Sequence, residues 1–370
     1  MLDQGVRLQL RIGSTVLRPA SQEIVDSITS IQVTNNDRDR DGFQMTLSME
    51  KGSSEEYSLI KSGALHPPTR VHITVIMGAV SWPLIDGVIT RYQMVPSDQT
   101  GRSTLQVTGE DISLKLDLIE KNEVYRNISD SNIVDEILDN YATWGIEPEI
   151  EATSEVPNEI QRVTTQEGTD LAFIRQLASR NRFIFYVEPK DDPGFSKAYW
   201  GLEKRSGRPQ PALTMNMGPY SNVEAPLNFD FNSLDPVEPE VRFMDYANYQ
   251  TISVPPLTTT LPPLAAESAP PMRRSIARDS ARLNLPRARL RSETLSQRSA
   301  SAVNATGEID TARYGSVLRP RRLVGVRGAG EKHDGLYYVK QVTHRIRPGE
   351  YKQSFTLERE GLGSSVRTVL

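Results

Sequence analysis

Apolar and polar side chains alternate from the first residues. Val6, Leu8, Leu10 and Ile12 share one face and their neighbours the other, the period of a half-buried strand. Ile28, Ile31 and Val33 mark a second strand, and Phe43, Met45, Leu47 and Met49 alternate without a fault in a third. Further β runs centre on Val75, Ile89 and Val107. A single sheet of this length would leave edges exposed, and closure removes them. Residues 1–118 are therefore expected to form an antiparallel β-barrel.

The period changes beyond Gly109-Glu110-Asp111. Ile133, Val134, Ile137, Leu138 and Tyr141 fall at helical spacing behind the cap candidates Ser129 to Asn132. A second helix is expected from Gly168-Thr169-Asp170, with Leu171, Ile174, Leu177 and Ala178 on one face, and Phe183 to Val187 follows as a strand. These elements set out a small mixed α/β domain over 119–225. Residues 226–370 are expected to form a second barrel, able to borrow strands from 183–225. A Pro-rich and Arg-rich insertion, 252–300, interrupts it. Val254 to Pro271 favours extended polyproline geometry. Pro286 is expected to interrupt any long helix in the arginine stretch that follows.

The C-terminal β signals echo the N-terminal ones. Asp86-Gly87 and Asp334-Gly335 each read as a turn before a β-rich run, and Gly101 and Gly349 each follow 14 residues later. Leu336 to Val339 and Tyr351 to Leu357 are the last expected strands. The pattern reads as an internal duplication, giving a mainly β chain with an α+β middle.

Composition narrows the chemistry. The 370 residues hold no cysteine, which removes disulfides, thiolate nucleophiles and Cys-based metal sites. No apolar run reaches the length of a membrane span, and the N-terminus lacks the pattern of a secretion signal. Residues 270–370 hold 20 basic and 9 acidic side chains, against 23 and 38 in residues 1–269. The eight arginines between Arg273 and Arg298 invite a nucleic-acid reading, but no aromatic residue is interleaved to stack on bases. Among the four histidines, His66, His72, His333 and His344, none stands in a ligand or triad pattern. Asn35 to Gly42 has aspartates at calcium-loop spacing, yet Arg38 and Arg40 interleave and no bidentate Glu follows. Gly325 to Gly330 precedes a turn and not a helix, so it lacks the amide nest of a phosphate loop. Glu149, Glu151, Asp191 and Asp192 read as solvated loop carboxylates and not as a glycosidase pair. Neither catalytic residue nor metal nor cofactor is expected.

Gln166 to Ala178, running into Phe183 to Val187, resembles the helix-strand signature of phage tail hub proteins. These are the late control protein D family, the hub part of VgrG of type VI secretion, and hubs of extracellular contractile injection systems. Asp86 to Thr90, Gly109-Glu110-Asp111, Tyr314 to Arg321, Asp334 to Val339 and Val342-Thr343-His344 stand where such proteins have similar strings. The resemblance implies structural roles for Asp86, Gly87, Gly168, Asp170, Leu171, Phe173, Leu177, Asp334, Gly335, Tyr338 and His344. It implies a homotrimeric ring of six tube-like β-barrels joining a hexameric inner tube, or a tube initiator, to a trimeric spike, beside other baseplate proteins. Assembly would be in the bacterial cytoplasm, as part of a virion tail or tail-like particle, without direct membrane insertion or nucleic-acid binding. Arg273, Arg274, Arg278, Arg319 and Arg321 are candidates for subunit or partner contact. The chain ends without the repetitive needle of VgrG, and the resemblance gives no role to 252–300. The rival readings are a tail-associated cell-wall hydrolase and a nucleic-acid binder acting through the arginine stretch.

Overall fold

The computed structural model describes residues 5–367 apart from 15, 50–56, 98, 100–101, 158, 160–162, 225, 246–247 and 258–260. The early alternating runs form β1 (Val6–Gly13), β2 (Ile28–Asn36), β3 (Gly42–Met49), β4 (Arg70–Met77), β5 (Val80–Val95) and β6 (Ser103–Asp111). They lie antiparallel in the order β2-β3-β6-β5-β4-β1. Phe43, Met45, Leu47 and Met49 turn inward onto Ile31, Val71, Ile73, Ile89 and Val107. Burying a side chain of this size contributes about 1.5–3 kcal/mol.

Asp86-Gly87 is not a turn. Both residues lie inside β5, opposite His72 and Val71. A Cβ on Gly87 would stand 2.5 Å from the Glu110 carbonyl oxygen and 2.9 Å from the Phe43 ring. The glycine is there for close approach within a sheet, a use that sequence alone does not separate from a turn.

The middle of the chain holds β7 (Glu120–Tyr125), α1 (Asp130–Asp139), β8 (Ile146–Ile150), β9 (Thr164–Thr169), α2 (Asp170–Arg180), β10 (Ile184–Pro189) and β11 (Ser196–Gly201). Ser129 and Thr169 cap the two helices by accepting from the Asn132 and Ala172 amides. Ile133, Ile137 and Leu138 of α1 meet Leu171, Phe173, Ile174 and Leu177 of α2 over Trp200, in a core of their own.

The last part holds β12 (Gln210–Thr214) and β13 (Asn228–Phe231), an insertion, and then β17 (Val303–Asp310), β18 (Leu323–Arg327), β19 (Gly335–Arg347) and β20 (Glu350–Arg359). The segment between β13 and β17 contains β14 (Val237–Asp245), β15 (Gln250–Val254), β16 (Arg273–Ile276) and α3 (Leu285–Arg298), of which β16 and α3 fall within the expected insertion 252–300. Pro286 opens α3 and does not break it: it sits in the first turn behind the Asn284 cap, where its missing N–H costs nothing. The polyproline stretch is partly recruited to a strand, since Ala265–Ser268 pairs with Gly361–Ser364. Thr258 to Thr260, like Gly101, lie outside the described residues.

The second group repeats the first strand by strand. Its order is β13-β17-β20-β19-β18-β12, so β13 stands for β2, β17 for β3, β20 for β6, β19 for β5 and β18 for β4. β12 differs from β1 in running parallel to its neighbour. β5 and β19 each carry a bulge against the following strand, leaving out Thr90 in one and Lys340 in the other. Aligned on these bulges, Gly87 matches Tyr337 and not Gly335. The chain is duplicated in topology, while the Asp-Gly echo is two residues out of step.

The expected closure into two barrels is not what the strand pairing gives. β19 pairs with β2 over Gln341–Ile346 and Ile31–Asn36, which fuses both groups into one continuous sheet. Among the described strands, β13 and the short strand Arg18–Pro19 end that sheet and do not meet. The edge that closure would have sealed in the second group is sealed instead by the first.

Gly109→Ala places a methyl group against the Phe43 ring and the Val88 carbonyl. The expected outcome is a loss of about 1–3 kcal/mol in urea unfolding at unchanged slope, the cost of overpacking a filled core.

Candidate functional site: the module junction and the open strand edges

Four buried ionic assemblies brace the chain, three of them between modules and one, around Asp170, within the middle domain, and several of the residues singled out by sequence fall in or beside them. Arg70 on β4 grips Asp86 on β5 with two bonds, Nε to Oδ1 at 2.8 Å and Nη2 to Oδ2 at 2.7 Å. The same guanidinium donates to the Gly194 carbonyl, and Ser196 donates to Asp86. Asp86 therefore ties the first sheet to the middle domain.

Asp170 opens α2 and is fully buried. It accepts from Gln166 Nε2 at 2.7 Å, Lys121 Nζ at 2.7 Å and the Tyr141 hydroxyl at 2.6 Å. Burial, with this carboxylate beside it, pushes Tyr125 up to about 12 and raises Tyr141 further. Gly168 precedes Asp170 with φ +109°, backbone that glycine adopts without strain.

Arg321, a candidate partner contact by sequence, is only 4% exposed and serves the chain itself. Its Nη2 donates to Asp41 Oδ1 at 2.7 Å, and its guanidinium lies over the Tyr186 ring at 4.2 Å. Asp41 also accepts from Asn35 and from the Asn36 amide, and its own amide donates to Asp111. Arg319 donates to Glu188 at 3.2 Å, so both arginines span the second module, the middle and the first. Arg273, Arg274 and Arg278 remain exposed, with Arg274 paired to Glu238. His344 is buried on the Tyr351 hydroxyl, and burial lowers it to about 3. Asp334 accepts from the Ala329 amide, and Gly335 begins β19.

Asp37, Glu203 and Glu358 place one carboxylate oxygen each within 4.8 Å of one another. Sequence reading did not bring these three together, because they come from three parts of the chain. Their spacing suits a cation, and side chains supply it: Arg38 lies 3.3 Å from Asp37 and from Glu203, Arg205 bonds Glu203, and Lys340 bonds Glu358 at 2.9 Å. Burial pushes the Asp37 carboxyl up to about 6, against the pull of Arg38. The Tyr338 hydroxyl is buried without a hydrogen-bond partner and feels Glu203 and Asp37 most strongly. This is an ionic clasp between modules: every carboxylate in it faces a cation of the same chain.

The second feature is a matched pair of free edges. Residues 341–346 of β19 are covered by β2, and Val342, Thr343, His344 and Ile346 are buried. The equivalent stretch of β5, Arg91 to Val95, pairs with β6 on one side and with no described strand on the other. Met94 and Val95 there are 38% and 50% exposed. β13, the counterpart of β2, likewise pairs only with β17 among the described strands, and its Phe231 is 44% exposed.

This architecture recurs in solved structures. A tail protein from Neisseria meningitidis is 12% identical, with TM-score 0.66 over 97% of this chain and 98% of its own. A 43 kDa tail protein of prophage MuSo2 from Shewanella oneidensis is 13% identical, with TM-score 0.63 over 95% and 98%. An E. coli component of the type VI secretion system, described as similar to the T4 tail proteins gp27 and gp5, is 14% identical, with TM-score 0.55 over 93% and 75%. The chain shares the fold of these proteins. The Alg8 N-terminal domain family matches residues 19–191. No curated protein sequence matches the chain.

Two outcomes check the junction. Asp86→Ala strands the Arg70 guanidinium in a buried setting and is expected to cost about 3–5 kcal/mol in urea unfolding. Asp37→Asn should act oppositely. A carboxyl raised by folding stabilises the fold below its ordinary value of 3.8 and loses that contribution as pH climbs through about 6. The variant is expected to exceed the parent protein by up to about 3 kcal/mol at pH 8, and the gap should close towards pH 4.

Proposed function

We propose that the protein is a structural hub of a phage tail or tail-like contractile injection particle. Three copies form a ring that adapts a hexameric inner tube to a trimeric spike. The observation that carries this reading is the duplicated sheet together with its two free edges. Each chain offers two modules of one topology, so three chains present six similar modules around a threefold axis. An edge that pairs with a different edge on the next copy is a heterologous contact, and such contacts close into rings when the rotation allows.

The junction within the chain supplies the register for the junction between chains. Aligned on the bulges and carried through the strand pairs, Gln93 takes the place of Thr343 and Asp230 that of Thr34. Thr343 and Thr34 are paired residues whose hydroxyls lie 3.3 Å apart. The same register sets Tyr92 opposite Phe231 and Met94 opposite Phe229. It covers the exposed apolar side chains of both edges and satisfies their backbone groups. In the ring, each module curves into a tube-like β-barrel wall completed by its neighbours. Interfaces of permanent complexes bury on the order of 2,000 Å² or more, so the two edges form the seam of a wider contact.

The buried Asp41, Asp86 and Asp170 are bonded to cations or amides of the same chain and His344 to Tyr351, which supports a structural role. The tail proteins and the type VI component that share the fold support a place in a tail or tail-like particle, and assembly in the bacterial cytoplasm is part of the proposal.

The register is checked by cross-linking, which a cysteine-free chain makes clean. Gln93→Cys with Asp230→Cys, oxidised after purification, is expected to run as a covalent trimer in a denaturing gel. Each single variant should stay monomeric there. Native mass spectrometry of the unmodified protein should show three chains. A monomer or an even-numbered assembly would overturn the ring.

A further inference from the structure

A cavity of about 150 Å³ lies where α2, α3 and the turn after β2 come together. Four arginines line it: Arg38 from the turn, Arg175 and Arg182 from α2 and its exit, and Arg298 from the end of α3. Two of them are partnered, Arg38 with Asp37 and Glu203, and Arg182 with Glu293 at 2.5 Å. Arg175 and Arg298 have no hydrogen bond or ion pair among the described residues.

The cavity therefore holds two guanidiniums without a bonded partner among the described residues: Arg175, half-buried and drawn by Asp111, Asp39 and Asp117, and Arg298, exposed. The Nε groups of Arg175 and Arg38 are buried without a hydrogen-bond acceptor, and the Gln297 Oε1 in the same wall is buried without a donor. Burial lowers both Arg175 and Arg298; Arg40 lowers Arg175 further against the pull of Asp111, Asp39 and Asp117, and Arg38 and Arg291 lower Arg298 further. Phe183, Phe185 and Ala178 add apolar lining beside the guanidiniums.

The geometry points to an oxyanion site for a phosphate group. A dianion matches the two unpaired guanidiniums, and its oxygens supply acceptors for their orphaned N–H groups. Hydrogen phosphate also carries one O–H, which the Gln297 oxygen can accept, whereas sulfate at neutral pH carries none. At roughly 30 Å³ per water, the cavity holds about five waters, or one five-atom oxyanion in their place. Phosphate bound there bridges α3 of the insertion to α2 of the middle domain and to Arg38 beside the ionic clasp. It thus gives the arginine-rich segment a fastening role, and this does not depend on ring formation.

The test is calorimetric titration of the full chain with inorganic phosphate, sulfate and AMP, after exhaustive dialysis into chloride buffer of matched ionic strength. One saturable phosphate site is expected, bound more tightly than sulfate. Arg175→Gln and Arg298→Gln should each weaken it about tenfold or more, the usual consequence of losing a hydrogen bond to a charged group. The sign of the stability change separates ligand binding from plain packing. Without phosphate, Arg298→Gln should melt at a higher temperature than the parent, since its repulsion with Arg38 and Arg291 is relieved. With saturating phosphate the order should reverse. Tighter binding of AMP than of phosphate would assign the pocket to a phosphomonoester and not to the free ion. Absence of saturable binding of both phosphate and AMP, or variants that bind as the parent does, would overturn the assignment.

Discussion

The arrangement depends on one line of backbone hydrogen bonds, the antiparallel pairing of residues 341–346 with residues 31–36. A strand edge left in water is a standing invitation to pair with another chain, and folds deal with it by closure, cover or charge. This chain uses its own second module as the cover. The choice is local but its consequence is global. Because the two modules have the same strand order, sealing one edge of the second with the first leaves an equivalent edge of each kind without a described partner: β13 in the second module and residues 91–95 of β5 in the first. In the ring proposed above, pairing with another copy would continue this pattern.

Backbone pairing fixes a register but not the angle at which layers meet. The buried ions supply that second constraint. Arg70 and Asp86 lock the first sheet to the middle domain, and Arg321 and Asp41 lock the second module to the first across the Tyr186 ring. A buried ion pair contributes little net stability over a hydrophobic pair of the same size, yet breaking one is costly. Such pairs therefore penalise wrong arrangements more than they strengthen the right one. That suits a part that must present two modules in a fixed relation. The clasp around Asp37 works under tension, since its carboxyl is held above its ordinary range while Arg38 pulls the other way.

Local pattern was legible in the sequence where it depends on the nearest neighbours. The alternation at Phe43 to Met49 and at Tyr351 to Leu357, and the caps Ser129 and Thr169, read directly because a period of two or a cap-and-helix spacing lies within ten residues. Glycine and proline misled, since each has two uses. Gly87 was read as a turn and makes a close approach; Pro286 was read as a breaker and opens a helix. Closure into barrels was inferred from the need to remove edges, and that need is met by pairing between modules, which no local signal records. The clasp of Asp37, Glu203 and Glu358 and the cavity of Arg38, Arg175 and Arg298 were invisible for the same reason: their members are brought together only by the tertiary fold.

The polarised charge of the sequence acquires a physical account from these contacts. The basic last hundred residues could have steered separate partners, but much of their charge is used inside the chain. Arg319 and Arg322 converge on Glu188, Arg321 meets Asp41, and Arg287 meets Glu155. The acceptors in each case belong to the acidic part that precedes them. Opposite charge on the two parts is thus paired where the second module meets the first and the middle. Against that economy, Arg175 and Arg298 stand out as two guanidiniums of one pocket without a bonded partner among the described residues, where the proposed phosphate would supply the acceptor.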